Sequence, residues 1–216
     1  MNISYINIFQ IIELKKVFLK ETTKMEKRKL SDFVSFVQGV NQSRAEKQFG
    51  DQEIPYYDQA SFEDDYRHYN EMNQEEKINE SFTSEVTLDK RDIVISNSLQ
   101  RATMVGETNI GKVLSINFTK VSFINEELDK RYFLYLFNNY QDIQRQKERE
   151  LQGTGPILRL TKQSLEKLII PIVPLKEQRQ IGAIYVESLK AQSKLSEYAR
   201  LLEKFTGAML ENKLKE

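Results

Sequence analysis

Cysteine and tryptophan are absent from this sequence of 216 residues, and histidine occurs only once. Without cysteine the chain can form no disulfide, no thiolate metal site and no cysteine nucleophile. The absence also fits a reducing compartment, so we expect a cytoplasmic protein. No run of 18 apolar residues is present, which predicts that no segment spans a membrane. The apolar first twelve residues have no basic segment before them and no cleavage site after them, so we expect no signal peptide.

An excess of charge of either sign is also missing, because 32 lysines and arginines balance 32 aspartates and glutamates. Proteins that bind DNA through bulk charge are usually basic. A net charge of zero therefore argues slightly against DNA binding by the chain alone. It leaves room for a protein that reads bases while a partner supplies more of the charge. Twelve phenylalanines and ten tyrosines provide enough apolar surface for a folded core.

The sequence lacks a convincing catalytic motif. A serine triad would need His68, the single histidine, but it lies in an irregular acidic stretch and is far more typical of a surface residue. Glu63, Asp64 and Asp65 could hold the metal of a nuclease, although adjacent acids mostly mark a solvated loop. The glycines form no phosphate-binding loop. We therefore expect no catalytic residue, no metal and no cofactor.

Mixed strand and helix patterns predict an α+β fold. Short apolar runs predict strands within residues 86–98 and 112–124, and the second run slips out of phase, which indicates a bulge or turn at Thr119-Lys120. Helical spacing of aromatic residues predicts one helix over residues 129–151. The sequence thus predicts a mixed α/β domain over residues 25–170, followed by a long helix over residues 171–216.

Residues 1–24 form either an N-terminal helix or an extension, because Met25 is an alternative start. The long helix contains no proline after residue 174 and carries apolar residues at alternating spacings of three and four. This heptad pattern favours a coiled coil, while packing on the helix's own domain is the alternative. We expect the following residues to bury against a partner helix: Ile181, Ile184, Leu195, Tyr198, Leu202, Phe205 and Met209.

Three polar segments, residues 42–48, 96–101 and 154–163, are predicted to be loops rich in amides and bases. Arginine pairs well with guanine and the amides pair with adenine, although surface loops are polar in most proteins. The candidate DNA-binding residues in these loops are Arg44, Gln48, Asn97, Gln100, Arg101 and Lys162.

Three stretches of the chain resemble the specificity subunits of type I restriction–modification systems. Residues 29–57 contain a strand, a glycine, a polar loop and an IPYY strand. Residues 92–124 contain DIVIS and GKVLSINFTKVSFI and lead into the helix DKRYFLYLFNN. Residues 153–181 are the most specific, with a glycine turn, the segment IIPIVPL and an EQRQI that begins the long helix. Arg91 departs from the glycine that is common in the family.

The resemblance implies a target-recognition domain whose loops dock on double-stranded DNA. It also implies that the long helix is a spacer that binds methylation subunits, which carry S-adenosylmethionine and methylate adenine, within a complex that includes a restriction subunit. The usual subunit has two domains and two long helices, whereas this chain has one of each. The segment LKKVFL at residues 14–19 resembles the end of the family's helix, so the chain is either a fragment or a half-size subunit that we expect to form a homodimer.

Two other functions fit parts of the sequence. A coiled-coil adaptor without DNA contact would explain the long helix and the zero net charge, and a metal nuclease would use the acids at residues 63–65. The acid-rich stretch over residues 51–85 would repel phosphates, so we expect it to face away from any DNA.

Overall fold

The computed structural model describes residues 26–49, 55–67, 84–153 and 158–215. Residues 1–24, predicted as a helix or an extension, lie outside the described residues, as do His68 and much of the acid-rich stretch. The elements in chain order are β1 (Glu26–Lys29), β2 (Val34–Gln38), α1 (Gln42–Phe49), β3 (Tyr56–Tyr57), α2 (Gln59–Arg67), β4 (Ile93–Ser96), β5 (Arg101–Met104), β6 (Val113–Leu114), β7 (Phe118–Phe123), α3 (Lys130–Asn139), α4 (Gln141–Glu150), α5 (Lys162–Glu166), β8 (Ile169–Ile172) and α6 (Leu175–Lys215). The predicted α+β fold with a long C-terminal helix is confirmed.

A four-stranded antiparallel sheet with the order β2-β7-β4-β5 forms the centre of the domain. All four residues of the central strand β4 are buried, because both faces of the sheet are covered. Ile93 and Ile95 belong to the larger core cluster, which includes Phe133 and Phe137 of α3. Val94 belongs to a second cluster on the other face, with Tyr57 and Phe62. Two short pairs, antiparallel β1-β8 and parallel β3-β6, complete the domain.

The predicted single helix over residues 129–151 is wrong, because two helices meet at Tyr140. Asp129 caps α3 by accepting hydrogen bonds from the backbone N–H groups of Arg131 and Tyr132. The helix ends where Asn138 pairs twice with the backbone of Ala102 on the edge strand β5, at 2.8 Å each. Asparagine also has a low helix propensity. The apolar spacing continues across the break because both helices face the same core, which is why the pattern resembled one helix.

Three further predictions need correction. The phase slip in residues 112–124 comes from a turn at residues 115–117 between β6 and β7, and not from Thr119-Lys120, which lie within β7. Residues 42–48, predicted as a loop, are helical in α1, where the Asn41 side chain accepts a hydrogen bond from the backbone N–H of Arg44. The strand β8 also crosses the predicted domain boundary at residue 170 and pairs with β1.

Candidate nucleic-acid interface

Four strands bring several polar segments to one end of the central sheet. In antiparallel register, Gln38 at the end of β2 pairs with Thr119, and Ser96 at the end of β4 pairs with both Phe118 and Arg101. The ends of β2 and β4 therefore lie beside the starts of β5 and β7. We call this end the turn face, and it comprises residues 38–41, 97–101, 115–117 and 158–163.

Asn97 joins three of these segments. Its backbone N–H donates to the carbonyl of Asn117 at 3.1 Å, and its own carbonyl accepts from the N–H of Leu160 at 3.0 Å. Its side-chain oxygen accepts from the Thr119 hydroxyl at 2.9 Å. Asn97 is only 6% exposed, so its predicted role in reading bases is revised. The residue joins the turns through its backbone and its side-chain oxygen.

Gln100 and Arg101 follow Asn97 in the turn between β4 and β5. Gln100 has a left-handed backbone with a φ of 56°, and its N–H donates to the Ser96 carbonyl at 2.8 Å. The Arg101 guanidinium is exposed, lies 5.4 Å from the centre of the Tyr66 ring and donates to the Tyr66 hydroxyl at 3.2 Å. This stacking orients Arg101 at the rim of the turn face.

The buried amine of Lys147 in α4 binds the backbone of the same turn. It donates to the carbonyls of Gln100 at 2.8 Å and Phe137 at 2.7 Å, and it lies 4.4 Å from the centre of the Phe137 ring. Burial, with a smaller contribution from the nearby positive charge of Arg101, lowers the pKa of Lys147 to about 8. This buried lysine could not be predicted from the sequence, because the surrounding helix positions are polar.

Lys162, at the start of α5, is exposed, and its amine lies 3.9 Å from the carboxylate of Glu166 in the same helix. The Thr161 hydroxyl caps α5 by accepting from the N–H of Ser164. An open polar cleft beside α5 is lined by Gln38, Gln152, Thr161, Lys162, Gln163 and Glu166. Sequence reasoning missed Gln38 and Gln152, because a strand end and an isolated bridge carry no local signal for a binding surface.

Arg44 is exposed on α1, which begins four residues after Gln38. Gln48 belongs to the same helix, but its side chain lies outside the described residues. The turn that carries Gln100 and Arg101 is thus joined to the segment before Lys162 by the backbone of Asn97, and α1 follows directly from the same end of the sheet. Chain topology, and not sequence proximity, produces this grouping.

The acids that a nuclease would need have other roles in the described residues. Asp65 is buried and accepts hydrogen bonds from the Tyr57 hydroxyl, the Asn109 amide and the N–H of Gly106, all within 2.9 Å. Burial raises the pKa of Asp65, although these three hydrogen bonds oppose the shift. Across the described ranges, no three histidine, cysteine, aspartate or glutamate side chains come together in a way that could hold a metal.

The long helix α6 uses one side to dock on the domain. Gln178, Gly182, Tyr185 and Val186 are buried on that side. Ile184 follows the buried Gly182 by two residues, which at 3.6 residues per turn places it about 200° further around the helix. The predicted heptad seam, which includes Ile184, therefore faces away from the domain. Six of its predicted members are exposed: Ile184, Leu195, Tyr198, Leu202, Phe205 and Met209. Ile181 instead packs partly against the domain's own core, so its predicted place in the seam is revised.

None of the described helices is long and apolar enough to cross a membrane. Among proteins with curated functions, none matches the sequence. The fold is similar to a chain from a study of complex assembly and conformational transition in the type I R-M system, with a TM-score of 0.54, 17% identity and coverage of 94% of this chain and 50% of that one.

Two further solved chains share the fold at 17% identity. The HsdS subunit from Thermoanaerobacter tengcongensis gives a TM-score of 0.50, with coverage of 83% of this chain and 40% of that one. The type I restriction–modification system S subunit from M. genitalium gives 0.52, with coverage of 86% and 45%. This chain therefore spans half or less of the length of these solved chains. The family model for the type I restriction modification DNA specificity domain matches residues 22–201. The chain belongs to that family.

Proposed function

We propose that this chain is a sequence-specific DNA-binding subunit of a type I restriction–modification system. The turn face would contact base edges and phosphates, while partner subunits methylate and cleave the DNA. The observation that carries the proposal is the meeting of three separated polar segments at one end of the sheet, in a chain of the specificity-domain family. The chain itself is non-catalytic in this proposal and needs no cofactor.

Arg101 is the best candidate for reading guanine, because its guanidinium is exposed and already oriented by Tyr66. Gln100 and the amides of the cleft are suited to adenine, and Arg44 and Lys162 are suited to phosphates. Hydrogen bonds within the turns would hold the backbone that carries these side chains in place before DNA binds. Such preorganisation lowers the entropic cost of binding.

The helix α6 would join two copies of the chain. The exposed seam from Ile184 to Met209 provides apolar residues for a coiled coil, and its position opposite the docked side leaves it free for a partner. Two copies would restore the two domains and two helices of a full-length subunit, and we propose that the helices pair antiparallel as they do in the family. A two-fold dimer presents two identical turn faces, so its target would be an inverted repeat split by a spacer.

A DNA-binding titration at several salt concentrations, with and without the methylation subunits, tests the proposal. A specificity subunit should give specific complexes that bind target DNA at least about 1,000-fold more tightly than unrelated DNA. A coiled-coil adaptor should give no preference for any sequence. Binding that depends on salt but not on sequence would also contradict the proposal.

A further inference from the structure

Two large apolar side chains lie exposed on the turn face among polar ones. Leu99 belongs to the turn between β4 and β5, and Ile116 belongs to the turn between β6 and β7. Each is 47% exposed. The backbone hydrogen bond between Asn97 and Asn117 joins the two turns directly. The two side chains therefore belong to one surface.

Hydrogen bonds close both of the turns that carry these side chains. The Leu99 N–H donates to the Ser96 hydroxyl at 3.3 Å, and the Phe118 N–H closes the second turn by donating to the Ser115 carbonyl at 2.9 Å. Beneath the turns lie the buried polar residues Ser96, Asn97 and Thr119. The closed turns therefore hold Leu99 and Ile116 at the surface, above a layer of buried polar groups.

The surroundings of these residues match DNA better than protein. Arg101 and Lys162 provide positive charge, and one acid, Glu166, lies 3.9 Å from the Lys162 amine. Gln38 and Gln100 provide amide groups. A stable protein interface uses about 20–30 residues on each side around an apolar centre, whereas this patch has two apolar residues divided by polar ones. The apolar group that DNA presents among hydrogen-bonding groups in the major groove is the 5-methyl group of thymine.

We propose that Leu99 and Ile116 contact thymine 5-methyl groups in the major groove of the target. The turn face would then select T·A pairs by apolar contact, alongside hydrogen bonds from Gln100 and Arg101. This inference rests on the proposed function, because it requires that the turn face bind DNA.

Replacing thymine by deoxyuridine tests the inference, because it removes the methyl group and keeps every hydrogen-bonding group. The target is first selected from random DNA with the complex of this chain and its methylation subunits. Each thymine of the target is then replaced in turn. We expect a loss of about fourfold in affinity at one or more positions, which is the effect of one buried methyl-sized group.

Variants assign the effect to the two side chains. Leu99→Ala and Ile116→Ala should each bind thymine and deoxyuridine equally at one position and keep the preference elsewhere. Ile124→Ala is the matched control, because Ile124 is 62% exposed directly after β7, at the opposite end of the sheet. This control should keep every thymine preference.

The outcomes separate the inference from the proposed function. If the unmodified complex prefers its target but tolerates deoxyuridine at every position, the inference is wrong and the proposed function stands. If the complex prefers no sequence, both are wrong. If Leu99→Ala and Ile116→Ala keep the thymine preference but release the methylation subunits, the patch is a protein contact and the inference is again wrong.

Discussion

The two halves of the long helix α6 are stabilised in different ways. In the first half, the Gln178 side chain makes three hydrogen bonds of 2.9 Å, to the backbone of Glu127, Asp129 and Val173. A Cβ on Gly182 would overlap the backbone of α3, so glycine permits the two helices to pack closely. In the second half, residues 191–215 are exposed apart from the partly exposed Ser193.

This difference shows that the helix carries two independent surfaces. The first half is stabilised by its own domain, whereas the exposed second half lacks most of the tertiary packing from which helices in proteins gain their stability. The apolar seam of the second half continues to Ile184 on the side away from the domain. Docking on the domain and binding of a partner helix can therefore occur together.

Changing Leu195→Lys together with Leu202→Lys should have the largest effect. The double variant removes four large apolar side chains from a dimer and adds four charges, so we expect the dimer dissociation constant to rise at least about 100-fold. Sedimentation equilibrium measures the change. Leu201→Lys with Leu214→Lys is the matched control, because both residues are exposed but lie outside the seam. An unmodified chain that is monomeric both alone and with its methylation subunits would contradict the dimer.

Substitutions at two glycines of α6, one in each half, test how differently the two halves are packed. Gly182→Ala should destabilise the protein by up to about 3 kcal/mol, because the new methyl group would lie 2.7 Å from the Arg131 Cβ and the Tyr132 nitrogen. Gly207→Ala should stabilise the helix by up to about 1 kcal/mol, because nothing lies within 4 Å of the added carbon. Urea unfolding followed by circular dichroism gives both values. Equal changes in the free energy of unfolding at the two sites would show that the two halves are packed alike.

On the domain side, Arg101→Ala should weaken binding to the target by about tenfold or more, without a matching loss of stability. Its loss should also relax the choice of base at one position. Lys90→Ala removes one positive charge from the opposite end of the sheet, where Lys90 pairs with Glu107, and should leave target affinity nearly unchanged. Fluorescence anisotropy with labelled target measures both. Equal losses for the two variants would point to bulk charge and not to base reading.

The smallest effect concerns Lys147. The folded pKa is about 8 against an ordinary value of 10.5, so between these values the unfolded state binds more protons than the folded state. The contribution of Lys147 to stability therefore rises with pH across this window. We expect the free energy of unfolding of the wild type, minus that of Lys147→Met, to rise by about 1 kcal/mol between about pH 8 and 9. A flat difference would show that the buried amine keeps an ordinary pKa.

Local patterns predicted much of this fold. The proline-free heptad segment after residue 174 predicted a long C-terminal helix, and the helix runs over Leu175–Lys215. The strand β4 follows from its apolar run. The break at Tyr140 and the turn at residues 115–117 could not be predicted, because side chains on both sides of each break face shared cores.

The candidate site was harder to predict than the fold. Asn97 and Gln100 are both polar turn residues in sequence, yet Asn97 is buried by β7 and the segment before α5. Gln38 and Gln152 join the cleft through strand register and through the isolated bridge between Gln152 and Arg159. Exposure in a turn depends on which distant segment packs against it, and one sequence does not specify that locally.

The central claim is that α6 holds two copies of the turn face apart on one DNA target. Selection of random DNA by the complete complex, followed by sequencing, tests it most directly. We predict two copies of a single half-site in inverted orientation, separated by a spacer of constant length. A single half-site, or two unrelated half-sites, would contradict the claim.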